Sequence, residues 1–489
     1  MKKKVILIYD NRNDINSTIS KIVALNSYGD IIYKRQKLQV ILQKIMLKIE
    51  PDIEIVKLNI KKDVEKLINS IDENDDIVYM HIYSSSVITN EENFKLLLEK
   101  AEFVHRTMIT NKENPTMIVF KSALEYKKFL QDEKMKDPNC IKEKYDNLPE
   151  ISDNGCLQNI SVYDTFLKFF SGGFEARHFN SLTGNDYIVT KTSTNKKKAK
   201  AEHDYFYLIP DYMKSFFVVP FNYVEDDKKA SYSMERLKTP DLALQWVHEA
   251  ISIKDFETLL DKIFFFINLR AKRDCTKEKY KSNMEDLYIN KVEKRIKELK
   301  ELDEYKKIEN VIKLNESYKS IDEIYDKYKK LYDKMVSGYK FKNVEVIGHG
   351  DLCFSNMLYY KDINLLKFID VKGATKEEDL WTDPYYDLAK LSHSICGNYD
   401  FFNYDMVEIN MNQDLNIDIK IEKRDTTKFI NLFKDKLEEN GFNYKLVRLF
   451  EASLFLSMLP LHIDNVKKVV GFIMNAIHIL EEVESLNGK

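Results

Sequence analysis

His349, Gly350 and Asp351 are followed five residues after the aspartate by Asn356 and fourteen residues further on by Asp370, within VIGHGDLCFSNMLYYKDINLLKFIDVKG. These residue types in this order suit phosphoryl transfer. One carboxylate accepts the proton of an attacking hydroxyl, while an amide oxygen and a second carboxylate hold Mg²⁺ against the phosphates of a nucleotide. Asp351 is therefore the expected general base, and Asn356 and Asp370 are the expected metal ligands. His349 tempts a second base assignment. A histidine directly before Gly-Asp is better placed to brace the loop by hydrogen bonding and to serve catalysis from there. The competing reading is a coincidental pattern or a decayed site. The other eight histidines form no HExxH or comparable metal spacing. Cys353, inside the loop, reads as a packing thiol.

A phosphotransfer site also needs a cation for the nucleotide and a carboxylate to orient it. Lys191 ends the strand-like run YIVTK, with Lys196, Lys197, Lys198 and Lys200 as competitors and a surface lysine as the plain alternative. Glu202 opens the amphipathic run AEHDYFYLI, eleven residues after Lys191, a short separation for a strand, a loop and a helix. Gly172 and Gly173 could let backbone approach phosphates, because glycine lacks a Cβ; an ordinary hairpin turn explains them nearly as well. Met234, Glu235 and Leu237 end a strand before a proline-containing turn, where backbone groups could meet adenine. Trp381, Asp383, Tyr386 and Asp387 lie in the next segment and are candidates for an acceptor pocket. Asp383 is equally a helix N-cap and the aromatics equally core.

These residues must be held by elements. Apolar alternation marks short strands at Val344–Ile347 and Leu365–Ile369, which places Asp351 and Asn356 on the loop after one strand and Asp370 at the end of the next. Residues 1–135 read as an α/β domain with a mainly parallel sheet. Its strands are at Lys4–Tyr9, Ile53–Leu58, Ile77–Tyr83 and Thr116–Phe120, and its helices include Leu38–Ile49 and Val64–Ile71. Residues 136–158 are polar and proline-broken, a linker by composition. Residues 159–240 form a small lobe with strands at Tyr187–Thr190, Phe216–Pro220 and Ser231–Leu237. Residues 241–489 form a large helical lobe, with a charged helical insertion at 276–340. There Met284, Leu287, Tyr288, Val292, Ile296 and Leu299 recur at helical spacing. Packing of that insertion on the large lobe is favoured over coiled-coil pairing.

The chain has 489 residues, 44% hydrophobic and 32% charged, with a net charge of −3. That length implies two or three domains, and that charge gives no field favouring nucleic acid or an anionic membrane. The five scattered cysteines lack a CxxC pair and read as reduced thiols. Met1-Lys-Lys-Lys is followed by only five apolar residues, too short for a signal peptide, and no run is long enough to span a membrane. The expected location is cytoplasmic, with self-association left open.

The HGDxxxxN segment and its following Asp resemble those of the aminoglycoside phosphotransferase and choline kinase superfamily, a branch of the protein-kinase-like fold, over roughly 160–485. DPYYDLAKL at Asp383–Leu391 resembles the post-catalytic region of these small-molecule kinases. Lys191 and Glu202 fit by order more than by spacing, and IDVKG departs from the Asp-Phe or Asp-Trp of many relatives. The resemblance implies an α+β two-lobed fold, ATP and Mg²⁺ as cofactors, and a small-molecule hydroxyl as acceptor: a sugar, a sugar derivative or an amino alcohol. The arrangement also resembles surface-polysaccharide (capsule) biosynthesis proteins, in which a sugar-nucleotidyltransferase-like domain precedes a phosphotransferase. Here the amino-terminal part has neither a glycine-rich nucleotide loop nor an Asp-x-Asp pair, so it is expected to bind or organise. The rival readings are a bifunctional nucleotidyltransferase–kinase and a nucleotide-binding pseudoenzyme or scaffold.

Overall fold

The computed structural model describes residues 4–33, 36–71, 77–145, 147–170, 180–314, 318–411, 417–421 and 425–487. The chain divides into two compact units, Met1–Phe174 and Glu175–Lys489.

The first unit is built on five strands: β1 Lys4–Asp10, β2 Glu54–Leu58, β3 Ile77–Tyr83, β4 Met108–Ile109 and β5 Met117–Phe120. Their order is β2-β1-β3-β5-β4. Alternate residues of β1 feed two separate cores: Ile6 and Ile8 pack on one face, Leu7 and Tyr9 on the other. A strand covered on both faces reads as a continuous apolar run, which is why VILIY was legible as a strand. Each such aliphatic side chain, fully buried, stabilises the unit by roughly 1.5–3 kcal/mol.

The sheet is mixed rather than mainly parallel. β1 runs parallel to both β2 and β3, but β5 is antiparallel to β3 and to β4. The helix Glu91–Ala101 carries the chain from β3 to the edge strand β4. β5 then turns back into the gap between β4 and β3.

The 136–158 stretch is not a free tether. Asp137 caps a helix at Pro138–Lys144, Ile109 exchanges backbone hydrogen bonds with Pro149 and Ile151, and Leu157–Asn159 pairs with Ser86–Ile88. Residues assigned to the small lobe from 159 onward also belong here. Phe166, Leu167 and Phe169 of the helix Tyr163–Phe170 are buried, with the Phe169 ring 4.2 Å from that of Tyr33. Polar composition misled because the buried residues Ile141, Ile151, Cys156 and Leu157 are few and far apart, with only the last two adjacent.

The second unit opens with an antiparallel sheet of β6 Asn180–Gly184, β7 Ile188–Ser193, β8 Pro220–Glu225 and β9 Ala230–Glu235, in the order β6-β7-β9-β8. Between β7 and β8 lies helix α1, Lys196–Leu208. Its first turn holds three lysines, unfavourable at the positive end of a helix dipole. Asn195 offsets this by accepting from Lys198 N. The expected strand at Phe216–Pro220 enters the sheet only at Pro220; before it, Phe216 O accepts from Phe368 N at 2.7 Å.

The rest of this unit is mostly helical around one large core. The strands flanking the His349–Asp370 segment are β10 Val344–Ile347, β11 Met357–Tyr360 and β12 Leu365–Phe368, followed by helix α2, Tyr386–Ile395. β10 lies between Lys272–Asp274 and Trp381–Thr382, while β11 and β12 form a hairpin turned by Asn364 at φ 50°. The charged insertion packs on this lobe: Tyr280, Met284, Tyr288, Val292, Ile296 and Leu299 are buried in its core, with Leu287 partly so. No helix of the described residues is long and apolar enough to cross a membrane.

Candidate active site

The loop after β10 turns at Gly350, whose φ of +81° favours glycine. His349 is fully buried. Its Nε2 lies 3.0 Å from Ile369 O, an acceptor, and its Nδ1 accepts from Asp351 N at 3.1 Å. Those partners fix a neutral tautomer with the proton on Nε2. Burial pushes the His349 pKa down, further than nearby Asp387 and Asp351 raise it. With both nitrogens spent, His349 braces the loop and cannot take a substrate proton.

The Asp351 side chain is 42% exposed. Asn356 donates Nδ2 to Asp351 O at 2.8 Å and to Asp351 Oδ2 at 3.1 Å. That commitment leaves the amide oxygen, the atom a hard cation would take. Asp370, just past β12, has a positive φ of 56° and a side chain 46% exposed.

In the antiparallel sheet, Lys191 is 5% exposed on β7. Its Nζ lies 2.8 Å from Glu202 Oε2 and 2.8 Å from Asp370 Oδ1. Burial would lower the Lys191 pKa, but Asp370 and Glu202 raise it above its ordinary value and hold the ammonium charged. Tyr232 also donates to Glu202 Oε2, at 2.9 Å. The eleven-residue spacing works because only Thr194 and Asn195 separate β7 from α1. Gly373 lets the segment after Asp370 approach α1: a Cβ there would lie 2.2 Å from Ala201 O.

A cavity of about 180 Å³ opens beside the loop, lined among others by His349, Lys372, Trp381, Tyr386, Asn283 and Asp286. Trp381 and Tyr386 thus face it. The Arg273 guanidinium lies 4.4 Å from the centre of the Trp381 ring, and Lys291 donates to the Tyr386 hydroxyl at 2.8 Å. Asp383 and Asp387, expected beside the acceptor, are buried behind this wall at 1% and 0% exposure. Asp383 accepts the hydroxyls of Tyr280 and Tyr288, and Tyr385 rather than Asp383 occupies the N-cap position of α2. Asp387 accepts from His349 N at 3.0 Å and Gly350 N at 2.8 Å, and pairs with Arg270 at 3.1 Å.

Met234 lines a second, smaller cavity with Glu202, Val218 and Ile369. Glu235 is exposed at the end of β9, and Leu237 lies past it; neither lines either cavity. Gly172 and Gly173 lie outside the described residues.

Sequence reasoning passed over Lys390, whose Nζ is 2.8 Å from Asp351 Oδ1. It also passed over Ser394, whose hydroxyl accepts from Phe354 N at 3.0 Å. Asp387, Lys390 and Ser394 stand at i, i+3 and i+7 on α2, one face of a helix, and grip successive parts of the loop. That spacing was the available signal. Burial would lift the Asp351 pKa, but the Lys390 ammonium and the hydrogen bond from Asn356 bring it below its ordinary value. Among the described residues no three His, Cys, Asp or Glu side chains form a metal cage. A nucleotide-bound Mg²⁺ needs none, taking one or two protein ligands and the phosphates; Asn356 and Asp370 fit that role.

A family model described as the ecdysteroid kinase-like family matches residues 248–373. That span includes His349, Asp351, Asn356 and Asp370, and supports a phosphotransferase. No curated protein matches the chain. Among solved structures, a thermostable mutant of the aminoglycoside phosphotransferase APH(4)-Ia, in ternary complex with AMP-PNP and hygromycin B, is similar over 63% of this chain and 91% of its own. Its identity is 9% and its TM-score 0.39. The streptomycin–ATP–APH(2")-IIa complex is similar over 62% and 89%, at 12% identity and a TM-score of 0.33. At these scores the likeness carries no weight, and the fold is read from the chain's own elements.

Proposed function

We propose that the second unit is an ATP- and Mg²⁺-dependent kinase that transfers the γ-phosphoryl group to a hydroxyl of a small molecule: a sugar, a sugar derivative or an amino alcohol. A place in surface-polysaccharide synthesis fits such an acceptor. The observation that carries this reading is the ion cluster of Lys191 between Glu202 and Asp370, each 2.8 Å away, together with Asp351 and Asn356 on the neighbouring loop. A lysine held by a helix glutamate is the arrangement that presents an ammonium to nucleotide phosphates. Asp351 takes the acceptor's proton, and Asn356 keeps its carboxylate oriented. The cavity beside it brings Asn283, Asp286 and the Tyr386 hydroxyl, polar groups suited to fix a hydroxylated compound. Mg²⁺, when bound, would offset phosphate charge, with Asn356 and Asp370 as its protein ligands.

The test is titration of AMP-PNP with and without Mg²⁺. Asp370→Ala is expected to weaken Mg²⁺-dependent binding more than Asp351→Asn does, because a lost ligand leaves phosphate charge uncompensated. Equal Mg²⁺ dependence in wild type and Asp370→Ala would remove the metal assignment. A metabolite panel scored for ADP formation then names the acceptor.

A further inference from the structure

We propose that Lys390 is the built-in counter-ion of Asp351: it fixes one oxygen of the carboxylate and offsets its negative charge where the γ-phosphate of ATP must lie. This rests on the phosphotransferase reading above. A general base for phosphoryl transfer meets a difficulty of charge. The acceptor oxygen must touch both the carboxylate and the γ-phosphorus, so two anionic groups are forced close together. Like charges held that close repel, and more strongly where water is excluded than in bulk solvent.

The loop supplies no cation of its own, since Leu352, Cys353, Phe354 and Ser355 fill the interval between Asp351 and Asn356. His349 is neutral, with both ring nitrogens engaged. Lys191 is held between Glu202 and Asp370. Lys372 lines the cavity but makes no ion pair with Asp351. Lys390 does, at 2.8 Å.

The pair is asymmetric in a way that bears on its role. The Lys390 side chain is 14% exposed and that of Asp351 is 42% exposed. A lysine has been drawn largely out of water to meet a carboxylate that remains partly exposed to solvent. Burying an ammonium costs free energy unless a partner offsets it. The face of α2 already holds the loop backbone at two points, through Asp387 at His349 and Gly350 and through Ser394 at Phe354. The middle position of that face carries a full positive charge and is aimed at the side chain that reacts. Asn356 holds Oδ2 and Lys390 holds Oδ1, so the plane of the carboxylate is set from both sides. Each carboxylate oxygen can accept more than one hydrogen bond, which leaves a site for the acceptor hydroxyl.

In the transfer step the acceptor hydroxyl gives its proton to Asp351 as its oxygen bonds to the γ-phosphorus. The bond from the γ-phosphorus to the β,γ-bridging oxygen breaks, and its electron pair leaves with ADP. Asp351 later returns the proton to solvent. Lys390 keeps its own proton throughout and acts through Asp351, as a positioning residue.

The full-length chain tests this without any acceptor, by titrating AMP-PNP and ADP in the presence of Mg²⁺ after circular dichroism confirms folding. K390M is expected to weaken AMP-PNP binding by about tenfold or more and ADP binding by less than about threefold, because only the former places a γ-phosphate beside the uncovered carboxylate. K390R keeps the charge and is expected to stay within about threefold of wild type. K390M combined with D351N removes both charges and is expected to recover AMP-PNP affinity. K390Q replaces K390M if the latter does not fold. Unchanged AMP-PNP affinity in the neutral variant, equal losses for AMP-PNP and ADP, or a double variant as weak as the single one would each overturn the proposal. A wild-type chain that binds no AMP-PNP overturns the phosphotransferase reading itself, a separate outcome.

Discussion

Lys191 and Glu202 meet although their spacing is short, because a two-residue connection turns directly from strand into helix. Their order was legible in sequence, as was the Asp351, Asn356 and Asp370 spacing, because such loops are local. Lys390 was not, since its partner lies thirty-nine residues away and a single lysine on a helix carries no signature of its own. The same holds for Asp400, whose side chain is buried at 1% exposure with no cation paired to it among the described residues. Burial, aided by Asp241, pushes its pKa up to about 7. An unfolded aspartate titrates near 3.9, so ionising Asp400 costs folded-state stability. That cost is absent below about pH 4, grows up to about pH 7 and is full above it. Asp400→Asn is therefore expected to raise Tm at pH 8 by roughly 5 °C or more, with a smaller gain at pH 5. Melting curves at several pH values check this, and a gain that does not change with pH would contradict it.

Helix α2 carries much of the positioning in the second unit. Its sequence, YDLAKLSHSI, announced a helix, but its grip on the loop after β10 depends on partners outside the helix. Asp387 was read as an acceptor contact because it follows the catalytic segment closely. In the fold it faces inward and joins Arg270 to two backbone N–H groups. Asp387→Ala would strand a buried guanidinium and two donors, a loss of about 3–5 kcal/mol. Denaturant unfolding should show that loss together with a fall in turnover. A variant as stable as wild type would return Asp387 to the acceptor site. Strands were legible where alternation or continuous apolar runs were strong. The direction of β5 was not, because hairpin return and parallel crossover share one apolar pattern.

At the scale of the whole molecule, the division between the two compact units falls after residue 174 in the chain, beyond the stretch whose composition suggested a tether. Polar spacing between single buried residues looks like a linker until partners such as Ser86–Ile88 are seen. A fragment starting at Glu175 is expected to fold and to bind AMP-PNP. One starting at Asp153 would carry Leu157, Phe166 and Phe169 without their core and should aggregate more readily. Size-exclusion chromatography and AMP-PNP titration compare them. A folded Glu175 fragment that binds no nucleotide would mean that the first unit completes the site. The central claim is phosphoryl transfer to a hydroxyl with Asp351 as base. Its most direct measurement is acceptor-dependent ADP release from Mg·ATP by the wild-type chain and by Asp351→Asn. The account predicts release that depends on acceptor and falls by at least about 10²-fold in the variant, while AMP-PNP still binds; equal release by the two folded proteins would contradict it.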